Sequence, residues 1–160
     1  MTSRRETWRQ TVAKYTTAIP GVNANPATLV LRIADGGGFT GGRETVAEVR
    51  RELSARYPSP VQARLIDGTM YVAGDRTVAV DFIQIEAALT ASRPGDPAIT
   101  VNGSPASLAT ARPFDAEHNW GIFPGKDLFI CGGGTWSIVR IEDIGFMDGF
   151  PAKFQLTLRK

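Results

Sequence analysis

The stretch "RETVAEVRRELSARYPSP", residues 43–60, decides whether the N-terminal half holds a second helix. Val46, Val49, Leu53 and Tyr57 recur at intervals of three and four, the spacing of one helical face. The prolines of "YPSP" then end the run, because proline disfavours helix in the residue before it. The spacing predicts a helix over residues 43–57, with Arg43, Arg50, Arg51 and Arg56 among glutamates on its solvated side.

Just upstream, "ATLVLRIA" (27–34) reads as a buried strand, and "DGGGFTGG" (35–42) joins it to the expected helix. Gly36-Gly37-Gly38-Phe39-Thr40-Gly41 spells a formal G-x-G-x-x-G, and strand, glycine loop and helix are the parts of a phosphate cradle. The rest of the chain argues against a nucleotide. A dinucleotide fold repeats βαβ units and ends its second strand on an acidic residue. Asp67 has that place, but Asp67-Gly68 favours a tight hairpin turn into another strand. A P-loop needs lysine and a hydroxyl where Arg43 and Glu44 stand, and Glu44 would repel phosphate. Gly36, Gly37, Gly38 and Phe39 therefore read as a mobile strand-to-helix loop, suited to ordering against a neighbouring subunit. No cofactor is expected.

Towards the N-terminus, "SRRETWRQTVAKYTTAIPG" (3–21) has both ends of a helix marked. Ser3 and Glu6 form a capping box, Trp8, Val12, Tyr15 and Ile19 make one narrow apolar stripe, and Pro20-Gly21 stops it. So narrow a stripe belongs on a surface, which makes Trp8 and Tyr15 candidate contacts with a neighbouring chain.

Beyond residue 60 the period becomes alternating. "VQARLIDGTMYVAG" has a hairpin pattern about Asp67-Gly68. "TVAVDFIQIEAAL" continues the sheet, with a phase shift between Phe82 and Ile83 that suggests a bulge or bend. "ASRPGDP" is rich in turn formers and marks a boundary. "PAKFQLTLRK" (151–160) is the cleanest strand, with Ala152, Phe154, Leu156 and Leu158 on one face. The expected fold is α+β: two helices in the N-terminal part, then mostly antiparallel strands in a sandwich or barrel. Residues 1–92 would be an α/β lobe and 93–160 an antiparallel β lobe.

Composition excludes several function classes. At 160 residues, 42% hydrophobic and 21% charged, the chain can bury a real core. Its formal charge of +2, with glutamates interleaved among arginines, argues for a solvated helix face and against a nucleic-acid footprint. No apolar run approaches the ~20 residues of a membrane helix, no signal peptide opens the chain, and synthesis in the cytoplasm is the default. Cys131 is the one cysteine and His118 the one histidine. They could form a thiol–imidazole dyad, but no cysteine-hydrolase motif surrounds them and "LFIC" reads as core. Two such ligands cannot make a structural zinc site. Asp115, Glu117, Asp127, Glu142, Asp143 and Asp148 fit no EF-hand spacing, and Glu142-Asp143 alone identifies no glycosidase. The expected catalytic, cofactor and metal sets are empty.

Two stretches of the β-rich half resemble a known family. "PGDPAITVNG" (94–103) resembles the P-G-D-x-x-I-T-x-x-G segment of the U-type small tail proteins of contractile-tailed temperate phages. Trp120, "GGGTWSIVRIED" (132–143) and "DGFPAKFQLTLRK" (148–160) resemble that family's tryptophan, glycine-led strand, acidic turn and closing F-x-L-x-L-[RK] strand. Coverage is roughly residues 93–160. The resemblance implies a non-enzymatic virion component of the tail, baseplate or neck, multimerising with itself and with other tail or baseplate proteins. Candidate subunit contacts are then Gly36 to Phe39, Gly133 in the second glycine run, and Phe154, Leu156 and Leu158 on the last strand, which would act by strand addition. The rival readings are a soluble immunity- or adaptor-type binding module and, behind it, a small enzyme using Cys131 or the first glycine loop.

Overall fold

Residues 43–60 form a β-strand, not a helix, and this overturns the expected architecture. The computed structural model describes residues 4, 6–8, 10, 11, 25–40, 43–60, 64–66, 69–71, 74–90, 92–112, 121–147 and 150–160. Strand β1 (Asn25–Thr40) pairs antiparallel with β2 (Arg43–Pro60), from Asn25↔Ala55 to Ala34↔Val46, then irregularly to Thr40↔Arg43. Along β2, Val49, Arg51, Leu53 and Ala55 are buried, while Glu48, Arg50, Glu52 and Arg56 are exposed. That is a strand's period of two. Val49 and Leu53, four residues apart, fit both periods, and Arg51 fills the inward place between them where an apolar residue would have revealed the strand.

The remaining elements close a barrel. They are β3 (Arg64–Ile66), β4 (Thr69–Tyr71), β5 (Arg76–Asp81), α1 (Phe82–Thr90), β6 (Thr100–Val101), β7 (Ser104–Pro105), α2 (Leu108–Ala111), β8 (Leu128–Cys131), β9 (Gly134–Met147) and β10 (Phe150–Arg159). The order around the closed sheet is β1-β2-β5-β10-β9-β8, with β8 returning to β1, and every pairing is antiparallel. This is a barrel rather than a sandwich, and it takes three strands from before residue 92 and three from after it. In place of two N-terminal helices, Arg4, Glu6 to Trp8, Gln10 and Thr11 are helical, with Gln10 Nε2 donating to Glu6 Oε1 at 3.1 Å. Ser3, Val12, Tyr15 and Ile19 lie outside the described residues.

The phase shift at Phe82 is a switch from strand to helix, not a bulge. Phe82, Ile85, Ala88 and Leu89 of α1 are buried, which is helical spacing, and α1 packs against β5, β10, β2 and α2. The Phe82 and Phe154 rings stack with centroids 5.7 Å apart. Leu29, Leu31, Val49, Val78, Val80, Phe129, Ile138, Leu156 and Leu158 complete the interior, at 0–2% exposure.

Two hairpin turns follow from local chemistry. Gly132 (φ +56°) and Gly133 (φ +74°) join the Cys131↔Gly134 pair of β8 and β9. Asn102 (φ +53°) and Gly103 (φ +77°) join Val101↔Ser104 of β6 and β7. Two consecutive positive φ angles make the tight turn that suits strand twist, which glycine and asparagine tolerate best. A Cβ at Gly133 would meet nothing within 4 Å, so the penalty for substitution lies in the backbone. Gly133→Val should cost about 1–2 kcal/mol by urea unfolding, and Gly133→Asn clearly less.

One polar atom is stranded. On β10, Thr157 is 1% exposed, and among the described residues its hydroxyl has no hydrogen-bond partner. Because an unmet buried hydroxyl opposes folding, Thr157→Val is expected to leave stability unchanged or raise it by up to about 1 kcal/mol. A thermal midpoint several degrees lower would contradict this.

Candidate functional site

The barrel's strands do not end together, and at several of the places where one runs past its neighbour, side chains or loop backbone take over the missing hydrogen bonds. Strand β8 begins at Leu128, opposite Val30 of β1. Two residues further along β1, Arg32 N–H donates to Asp127 Oδ1 at 3.0 Å, and Arg32 C=O accepts from Arg112 Nη2 at 2.9 Å. The ion pair thus stands where the next rung of a strand would be.

That pair is built to stay. Arg112 donates to both oxygens of Asp127 at 2.7 Å, and the two residues are 1% and 0% exposed. Arg112 also donates to Gly121 C=O at 2.7 Å, and Phe123 N–H donates to Asp127 Oδ2 at 2.7 Å. The guanidinium lies 4.0 Å from the Phe123 ring centroid, a cation–π contact. Loop backbone also caps β9: Gly125 N–H donates to Ile138 C=O at 2.8 Å, and Ile138 N–H to Asp127 C=O at 3.2 Å.

Strand β2 is treated alike where it leaves β5. Ser54 N–H donates to Gln84 Oε1 at 2.7 Å, and Gln84 Nε2 donates back to Ser54 C=O at 2.8 Å. The primary amide imitates a peptide group of a neighbouring strand. At Arg50 the main-chain carbonyl accepts from Arg51 Nη1 at 3.1 Å. The Arg51 guanidinium also donates to Ala88 C=O and forks onto Asp96 at 2.6 and 2.7 Å. Arg93 N–H adds a bond to Asp96 at 2.8 Å. These bonds, chiefly the Arg51 fork, hold the Asp96 carboxyl well below the ordinary range, at about 2, against a smaller opposing cost of desolvation. A third fork joins Arg159 to Asp75 at 2.9 and 2.8 Å.

Beyond Arg32 on β1 and before Arg50 on β2, the two strands continue together to Thr40↔Arg43. Among the described residues no other strand pairs with this outer ribbon. Gly36, Gly37, Gly38 and Phe39 belong to it, in the irregular stretch between Ala34 and Phe39, so they form a hairpin arm and not a strand-to-helix loop. Comparisons with family models, curated proteins and solved structures find no match to this chain.

The other expected contact residues are scattered. Trp8 is half-buried on a helical residue, Gly133 occupies the exposed β8–β9 turn, and Tyr15 lies outside the described residues. Phe154, Leu156 and Leu158 are 0% exposed in the core, and β10 is paired on both sides by β5 and β9. They hold the barrel and offer no edge for strand addition.

Of the candidate thiol–imidazole dyad, one member is described. Burial pushes the Cys131 thiol up, away from the reactive thiolate, and His118 lies outside the described residues. A groove of about 630 Å³ runs from Gln84 across Glu52–Ser54 and Pro26–Thr28 to Ile130–Gly133. Its ionisable lining groups are Glu52 and Cys131. Among the described residues no three His, Cys, Asp or Glu side chains cluster for a metal, and no helix is long and apolar enough to cross a membrane. Asp127 is committed to Arg112.

Sequence reasoning set Arg51 on a solvated helix face and Asp127 among turn carboxylates, whereas both are buried, and it did not single out Asp96 or Arg112. The available signals were an arginine in an inward strand position and an aspartate fixed in the turn "RPGD".

Proposed function

We propose that the protein is a non-enzymatic assembly component of a tailed bacteriophage particle, in the tail, baseplate or neck, and that it multimerises through the β1–β2 arm. The observation that carries this reading is the contrast along those strands. Their edges are capped by Arg112–Asp127, Gln84 and Arg51 at the barrel, while among the described residues the outer ribbon pairs with no further strand. Capped edges resist pairing with other chains, and a ribbon without a further strand neighbour invites it. The resemblance of residues 94–103, Trp120, 132–143 and 148–160 to small phage tail proteins supplies the particle.

The test uses an arm-shortened variant. Ala34 and Val46 are register partners, so replacing residues 35–45 by an Asn-Gly turn should close the hairpin without disturbing the barrel. The intact chain is expected to form multimers at high concentration and to be found in purified particles. The shortened chain should keep its circular dichroism spectrum and lose both properties. An intact chain that stays monomeric and is absent from particles would sink the proposal in favour of a binding module that caps a single partner.

A further inference from the structure

Away from the arm's tip, Arg50, Arg51 and Arg93 gather where the turn "RPGDP" crosses β2. Arg93-Pro94-Gly95-Asp96 forms a turn with Asp96 N–H donating to Arg93 C=O at 3.2 Å and Gly95 at φ +88°. Proline then glycine at the two central places is the chemistry of a type II turn. The turn and the β2 segment Glu48–Arg51 enclose a small pocket of about 260 Å³.

The charges around it do not balance. Asp96 is fully engaged by the Arg51 fork and the Arg93 main chain. Glu48 is shared loosely, 3.5 Å from Arg32 and 3.7 Å from Arg50. Both contacts are longer than a charge-assisted hydrogen bond. The Arg93 side chain is exposed and forms no ion pair within 4 Å among the described residues, although its charge is felt by the Asp96 carboxyl. Among the described residues that line the pocket, three guanidinium groups therefore face two carboxylates, and Arg32 draws on Glu48 from outside it.

We infer that this pocket receives a carboxylate side chain from an acidic segment of a partner protein, held between Arg50 and Arg93. Charge complementarity selects the occupant, because guanidinium forks match carboxylates and Arg50 and Arg93 have donors to spare. The frame is already paid for by folding. The turn is pinned by Arg51, which is 1% exposed, so docking orders little beyond two surface side chains. Long-range attraction to an acidic partner would also speed its encounter. The inference does not depend on the arm.

Hexaglutamate peptide and inorganic phosphate serve as probes of the full chain at low ionic strength, followed by amide chemical shifts. The peptide is expected to bind saturably, with shifts centred on residues 48–51 and 93–97. Arg50→Gln or Arg93→Gln should weaken it about three- to fivefold each, with unchanged thermal midpoints, and 0.5 M salt should abolish most of it. Phosphate alone should bind at least about tenfold more weakly, since it cannot follow the surplus along the surface. Absence of saturable peptide binding, or binding indifferent to both substitutions, overturns the inference. Phosphate binding as tight as the peptide also overturns it, in favour of a small-anion site. None of these outcomes bears on multimerisation of the arm.

Discussion

Asp127→Ala is expected to lower the free energy of unfolding by about 3–5 kcal/mol, the largest effect of any single substitution considered for this chain. The variant leaves the Arg112 guanidinium in a site where it is 1% exposed, with no counter-charge. It also strands two backbone donors, Arg32 N–H and Phe123 N–H. Replacing a buried ion pair by apolar residues is often harmless, because the desolvation cost goes with the charges. Here that rescue should fail. The pair supplies partners to four main-chain groups, Arg32 N–H and C=O, Gly121 C=O and Phe123 N–H, and no aliphatic side chain can do so. The double variant Arg112→Met with Asp127→Leu is therefore expected to stay several kcal/mol below the parent in urea unfolding. Recovery to near parental stability would show that the pair does not cap the edge of β1 as described.

The same pair shows why only part of the fold was legible in the sequence. Strong alternation made β10 readable, and Asp67-Gly68 marked a hairpin whose flanks do pair, Ile66↔Thr69 and Leu65↔Met70. Strand β2 was not readable, because its inward row is Val49, Arg51, Leu53 and Ala55. Periodicity arguments assume that inward means apolar. An arginine whose carboxylate lies 45 residues away in the chain violates that assumption, and tertiary partners then override local helix preference. Helix α1 failed for the opposite reason. "DFIQIEAAL" is apolar enough to pass for a strand, and only the Phe82–Ile85–Leu89 spacing reveals the helix. The glycine run was read as a strand-to-helix loop because a helix was expected after it, and glycines serve a bulged hairpin arm as readily as such a loop. The turn "RPGD" was legible as a turn, but its aspartate's role was not, since nothing local names Arg51 as its partner.

Asp96→Ala should cost about 2–4 kcal/mol at neutral pH, because Arg51 would remain buried without its fork. In contrast with the Arg112 site, the backbone groups served here include Arg93 N–H in an exposed turn. Water can replace that bond. Arg51→Met combined with Asp96→Ala removes the unpaired buried charge but leaves the Ala88 and Arg50 carbonyls without Arg51, so it should recover only part of the loss. The pH dependence gives an independent check. The folded carboxyl titrates at about 2, below its ordinary 3.8, so the unfolded chain binds a proton first as pH falls. Stability from the fork is fully present above pH 3.8 and is lost as pH drops through 2. That component is on the order of 2 kcal/mol. The gap between parent and Asp96→Ala should stay constant from pH 7 to about 5, then narrow steadily towards pH 2.5. A gap that stays flat over the whole range would mean that Arg51 does not draw its stability from the ionised carboxylate, and the pinning of the 93–96 turn by Arg51 would go with it.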